Sequence, residues 1–206
     1  MNNLKKHISI TILIIFHLVG LIGFLYFPEV FKKLSSVNLL LSTVLILFTS
    51  KQAYIRFYAN MIVISVLGFF IEVIGVKTGF IFGSYHYGTA MGIKILAVPL
   101  LIGLNWSISL YITSQFCKFK NEILNAIFGA FLMTFLDFFI EQSASKLDFW
   151  YWENNHIPIQ NYIAWFLISF ILNLIFQKEI NQTGNKTAKA YYLIEITFFS
   201  ILFLLF

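Results

Sequence analysis

Apolar residues run along this chain in long blocks separated by short polar interruptions. About 20 mostly apolar residues suffice for a helix to cross the hydrocarbon core. The blocks predict seven spans, at about 8–27, 34–49, 54–76, 92–116, 123–140, 157–176 and 190–206. The fold expected is therefore all-α, a polytopic membrane helix bundle of about seven transmembrane helices. No internal repeat or low-complexity linker divides the chain, and 181–189 is a short polar loop, so residues 1–206 read as one integral membrane domain. The first block follows Lys5 and Lys6, as in a signal peptide. No small-residue cleavage site follows it, only Phe27-Pro28-Glu29, and it reads as a retained helix.

Composition turns this pattern into an exclusion. Hydrophobic residues make up 59% of the 206 and charged residues 11%, with a mean hydropathy of +0.83. Soluble domains carry roughly 25% charged residues, so a water-facing surface cannot be built from this chain. Twenty-five Phe suit lipid contact and equally a cleft for a large apolar ligand. The one cysteine, Cys117, precludes an internal disulfide. A net charge of +5 in so apolar a chain sets orientation rather than nucleic-acid binding. With the N-terminus inside, nine basic residues lie inside (Lys5, Lys6, Lys51, Arg56, Lys118, Lys120, Lys178, Lys186, Lys189) and five outside (Lys32, Lys33, Lys77, Lys94, Lys146). That count favours a multi-pass protein of the cytoplasmic membrane with its N-terminus inside and its C-terminus outside.

The few acids interrupt this pattern at telling places. Glu72 lies near the end of the third block, and Asp137 and Glu141 near the end of the fifth. Counting spans puts the loops after both blocks on one membrane face, together with Asn161 and Trp165 at the start of the sixth. A carboxyl in or near hydrocarbon is costly and usually has a partner or a task. Asp137 and Glu141, four apart, share a helix face, and in a dry site two such carboxyls favour keeping a proton on at least one. A protonated acid is what delivers a proton to a weak base. Plainer alternatives are pairing of Glu141 with Lys146 and of Glu72 with Lys77. Tyr85, His86 and Tyr87, like Trp150, Tyr151 and Trp152, are either site residues or an interfacial aromatic belt. Asn105-Trp106, near the middle of the fourth block, places an amide where it needs a partner. His17 and Glu195 read as isolated packing residues. The histidines show no metal-ligand spacing, so no metal is expected. The last block has no lysine for a retinal Schiff base, and no Asp-rich motif is present to hold Mg²⁺ and diphosphate.

The order Glu72-x-x-Gly75-x-x-Thr78-Gly79-x-x-Phe82-Gly83-x-Tyr85-x-Tyr87, then Pro99, Asn105-Trp106, Asp137-x-x-x-Glu141, Trp150-x-Trp152 and Ile157-Pro158-x-x-Asn161-x-x-x-Trp165 resembles the carotenoid-biosynthesis membrane family of γ-carotene 1′,2′-hydratases and bisanhydrobacterioruberin hydratases. The resemblance runs from about residue 54 to 176. Two departures stand out: Gln142 where a proline is expected, and Asn154-Asn155-His156 where a glycine is expected.

The resemblance implies a cofactor-independent hydro-lyase that adds water across the terminal C=C of an acyclic carotenoid ψ-end. Asp137 would be the acid, with Glu72 or Glu141 sharing its proton. Tyr85, Tyr87, Asn105, Trp106, Trp150, Trp152, Asn161 and Trp165 would bind the substrate and steady the cation. The implied partners are a long apolar polyene, the lipid bilayer and other enzymes of the pathway. An end-group cyclase begins with the same protonation and excludes water. A proton-coupled transporter would need polar residues through to the other face, and these thin out past Asn105. An assembly subunit would tolerate loss of Asp137.

Overall fold

The computed structural model describes residues 3–50, 54–180 and 184–206. Lys51 of the charge count and residues 181–183 of the polar loop lie outside the described residues. Seven helices follow one another: α1 (Asn3–Tyr26), α2 (Pro28–Phe48), α3 (Ile55–Thr78), α4 (Leu100–Ser114), α5 (Glu122–Ala144), α6 (Ile159–Ile180) and α7 (Lys186–Leu205). Among the described residues, six of them are long and apolar enough to cross a membrane, and α4 is the shorter seventh. This is an all-α, multi-pass membrane protein.

Local chemistry moves several boundaries away from the apolar blocks. Pro28 enters α2 in its first turn, where a missing N–H costs nothing, and Glu29 there pairs with Lys32 at 2.9 Å. The helix therefore takes in Lys32 and Lys33 and starts well before residue 34. Asn185 caps α7 by accepting from the amides of Thr187 and Ala188, so that helix begins at Lys186 rather than 190. The expected span 92–116 needs the largest correction. Pro99 stands at the N-cap of α4, and a residue before proline is pushed out of helical geometry. Residues 94–99 form a hairpin instead, β2 (Lys94–Ile95) against β3 (Val98–Pro99), leaving α4 with 15 residues. At 1.5 Å per residue α4 is about 22 Å long against a core of about 30 Å. Its missing end is where the site lies.

α4 runs through the middle of the bundle and is buried along most of its length. It packs most extensively on α3, where small residues permit close approach. A Cβ on Gly68 would stand 2.6 Å from Trp106, and the Ser65 hydroxyl donates to Ser107 at 2.8 Å. α5 and α6 form the other tight pair, and α1 packs on α2 and α7. Exposed Ile, Leu, Val and Phe cover the outer faces of the long helices, as a surface against lipid tails requires.

The polar residues do not thin out past Asn105 as the sequence suggested. At the opposite face Asn185, Tyr111, Gln115, Thr49 and Ser50 are buried together. The Asn185 Nδ2 donates to the Ile46 carbonyl at 3.0 Å and to the Tyr111 hydroxyl at 3.2 Å, and Gln115 accepts from the Asn185 amide at 2.8 Å. These groups are hydroxyls and amides, with no acid among them.

Candidate active site

Two loops distant in sequence pair to cap the truncated end of α4. Gly79 ends α3 in the left-handed conformation (φ 65°), its amide donating to Gly75 at 2.8 Å. Gly83 (φ 107°) then turns the chain into β1 (Tyr85–Tyr87). That strand runs antiparallel to β4 (Trp150–Trp152), with Tyr85 opposite Trp152, His86 opposite Tyr151 and Tyr87 opposite Trp150. Strand side chains alternate, so the middle pair points away and its rings stack at 5.4 Å. The four outer members turn inward, onto the acids.

Glu72, buried one and a half turns from the end of α3, receives three donors. The Tyr85 and Tyr87 hydroxyls reach its Oε2 at 2.5 and 2.7 Å, and Trp106 Nε1 of α4 reaches Oε1 at 2.8 Å. Gly75 leaves room for this: a Cβ there would lie 2.6 Å from Phe82 and 3.3 Å from the Tyr85 hydroxyl. Glu141, also buried, accepts from Trp150 Nε1 at 3.0 Å and Trp152 Nε1 at 2.8 Å, both on Oε2. Its Oε1 accepts from Asn161 Nδ2 at 2.9 Å, and the same nitrogen donates to Asp137 Oδ2 at 3.2 Å. One amide on α6 thus holds two carboxyls of α5 together. Trp165, one turn beyond Asn161, lies flat on Trp106 with ring centres 4.0 Å apart.

Glu72, Glu141, Tyr85, Tyr87, Trp150, Trp152, Asn161 and Trp165 line one cavity of about 20 Å³, which has room for a single water molecule. Asp137 lies behind Asn161 and does not line it. Among the described residues no Lys, Arg or His side chain forms an ion pair with any of the three acids. Lys146, considered for Glu141, donates instead to the Phe206 carbonyl at 2.8 Å. Burial, and next the charge of Glu72, raise the pKa of both Tyr85 and Tyr87, so both phenols stay protonated and remain donors.

The structure separates two neighbours that the sequence grouped. Trp106 faces Glu72, while half-buried Asn105 turns to the other side of α4, into a second, apolar cavity of about 250 Å³. His86 faces outward. Three further residues make contacts that the sequence did not show, one beside this site and two at the second cavity. Asp148 joins the two loops: its Oδ2 accepts from the Thr89 amide at 2.9 Å and hydroxyl at 2.5 Å, and Oδ1 accepts from the Tyr151 hydroxyl at 2.9 Å. Burial pushes its pKa up, but these donors outweigh it and hold the carboxyl below its ordinary value. An acid opening an aromatic run in a loop is the signal that was available for it. His17 and Glu195 are bonded to each other at 3.1 Å, and no spacing in the sequence connects them.

Residues 34–206 match the carotenoid biosynthesis protein family. A curated relative, bisanhydrobacterioruberin hydratase of Haloarcula japonica, is 22% identical over 139 residues, which cover 61% of this chain and 46% of the relative. The chain thus spans about half the length of that curated relative. No solved structure matches it. The family match takes in every residue of the acid cluster and leaves α1 outside. The chain belongs to the carotenoid biosynthesis protein family.

Proposed function

We propose that this membrane protein hydrates the terminal C=C of an acyclic carotenoid ψ-end to a tertiary alcohol. The observation that carries the proposal is the meeting of Glu72 and Glu141 around a water-sized space walled by indole and phenol groups, with Asp137 joined to Glu141 through Asn161 and, among the described residues, no cation paired with any of the three acids. Such a site suits a reaction that needs a strong acid, an anion beside a carbocation, and one water. The hydratase relative supports the same reaction class.

The roles follow from how many donors each acid receives. Glu72 and Glu141 each accept three hydrogen bonds, which favour the carboxylate; Asp137 accepts one. Asp137 is therefore the member that keeps the proton, with Glu141, held by the same amide, as its partner at the cavity wall. This acid pair protonates the CH carbon of the terminal alkene and leaves a tertiary cation on its neighbour. The Trp150, Trp152 and Trp165 faces stabilise that cation by about 0.5–2 kcal/mol each. Water attacks the cation and its proton goes to Glu72, and return of a proton to the pair completes the cycle.

By the charge count, this site lies at the outer interface of the cytoplasmic membrane. The test is expression in a host making lycopene or γ-carotene, beside an Asp137→Asn variant, with pigments separated by liquid chromatography and mass spectrometry. A pigment heavier by one water, absent from the variant, is the expected result. A new pigment of unchanged mass would mean cyclisation instead. Unchanged pigments, with the protein shown to reach the membrane, would overturn the proposal.

A further inference from the structure

The larger cavity is the least explained space in the molecule. Its volume is about 250 Å³, and it lies between α1, α2, α4, α5 and α7. An apolar cavity of about 150 Å³ takes up benzene, so this one holds on the order of ten carbon atoms, an end group rather than a whole polyene. Phe16 and Val19 of α1 and Leu34 and Val37 of α2 line it and are also exposed on the outer surface, so it opens toward lipid between those helices. Trp150 stands in the wall of both cavities.

Besides Ser35, Ser109, Tyr191 and Trp150, the polar side chains of this largely apolar wall are a group of four. The Asn38 Oδ1 is buried without a hydrogen-bond partner, a state that costs about 1–3 kcal/mol unless something in the cavity donates to it. The Asn105 amide turns into the same space. His17 and Glu195 complete the group, with His17 held edge-on between the rings of Tyr191 and Phe198. The His17 Nδ1 faces the Leu13 carbonyl at 2.7 Å and must donate to it. The 3.1 Å contact between Nε2 and Glu195 Oε1 then takes the pair's one remaining proton, on either partner, and leaves Glu195 Oε2 to accept from a ligand.

We propose that this cavity binds a hydroxyl-bearing isoprenoid end group, its hydroxyl held among Asn38, Asn105 and the His17–Glu195 pair. A hydroxyl can donate to the orphan Asn38 oxygen and accept from Asn105, which no hydrocarbon end can do. The isoprenoid identity rests on the hydration reading, whose product is such an alcohol; the preference for a hydroxyl rests on the cavity alone. His17 comes from α1, which lies outside the family match at residues 34–206.

The test uses the full chain in lipid nanodiscs, as the Asp137→Asn variant so that turnover plays no part. Three photoreactive ten-carbon probes are compared: a branched tertiary alcohol, its hydroxyl-free counterpart and a linear alcohol. Adducts are mapped by mass spectrometry. The branched alcohol is expected to label cavity-wall peptides of α1, α2 and α7 about fivefold more than its counterpart, as one net hydrogen bond of about 1 kcal/mol implies. Asn38→Leu and Asn105→Leu should each reduce that preference without reducing labelling by the hydrocarbon. Equal labelling by all three probes would overturn the proposal, as would a preference that survives both substitutions. Equal labelling by the two alcohols would remove the isoprenoid assignment. A hydrated pigment in the host assay alongside equal labelling here would leave the hydration reading standing and this one refuted.

Discussion

The acid cluster around Glu72 and the amide cluster around Asn185 are both buried polar networks, one at each end of the bundle. Asn185 both gives and receives: its Nδ2 donates to Ile46 and Tyr111, while its Oδ1 accepts from Thr187, Ala188 and Thr49. Its neighbours are likewise neutral groups that can act on either side of a hydrogen bond. Such a network can satisfy itself and needs no other purpose than to fix helix ends. In the acid cluster every donor, from Tyr85, Tyr87, Trp106, Trp150, Trp152 and Asn161, points at a carboxyl, and among the described residues no basic side chain forms an ion pair with these acids. Unpaired acids in a low-dielectric interior are held at a cost in stability, which is the physical ground for proposing a function for them. The lesson is to compare charge balance rather than count buried polar groups.

The largest expected effect breaks the acid side of this comparison. Glu72→Gln should lower hydration by roughly 100-fold or more, the range for loss of an acid–base group, while thermal unfolding in detergent stays close to that of the parent. A variant that unfolds far more easily yet turns over normally per folded molecule would move Glu72 to the structural class. Tyr87→Phe takes one of three donors from Glu72, a hydrogen bond to a charge worth about 1.5–3 kcal/mol, so turnover should fall by roughly 10- to 150-fold. Unchanged turnover in that variant would mean that Glu72 is not held as a carboxylate.

The opposite pattern is expected at the other end. Asn185→Ala removes a helix cap and should destabilise the protein by about 1–2 kcal/mol in denaturant titration, with unchanged turnover per folded molecule. A selective loss of turnover would erase the distinction between the two clusters. The smallest effect concerns Asp148. Its folded pKa lies below the ordinary 3.8, so its contribution is present above that value and lost as pH falls through the folded one. The attachment of the two loops should therefore be unchanged between about pH 5 and 8. Hydrogen exchange at the Thr89 amide tests this, and protection already falling between about pH 7 and 5 would contradict it.

Much of the site could be read from the chain, for identifiable reasons. Glu72, Asp137 and Glu141 stand out because each interrupts an apolar block, and counting spans brings their loops to one face. Pairing across β1 and β4 was not readable, because three-residue strands carry too little alternation and their partners lie in different loops. The placement of Asn105 was not readable either. Adjacent helical residues point about 100° apart, so joining it to Trp106 in one motif concealed that they serve opposite sides of α4.

What the sequence by itself determined is what depends on local composition: the membrane as solvent, the number of helices, and the face on which acids and aromatics collect. Transfer of apolar side chains is nearly additive along a segment, so it can be summed without knowing the fold. The tertiary structure alone decided which donor meets which carboxyl, the shortening of α4 behind Pro99, and the pairing of His17 with Glu195. Hydrogen bonds form within about 3 Å and at restricted angles, and those limits are met only when packing has set the helices against one another.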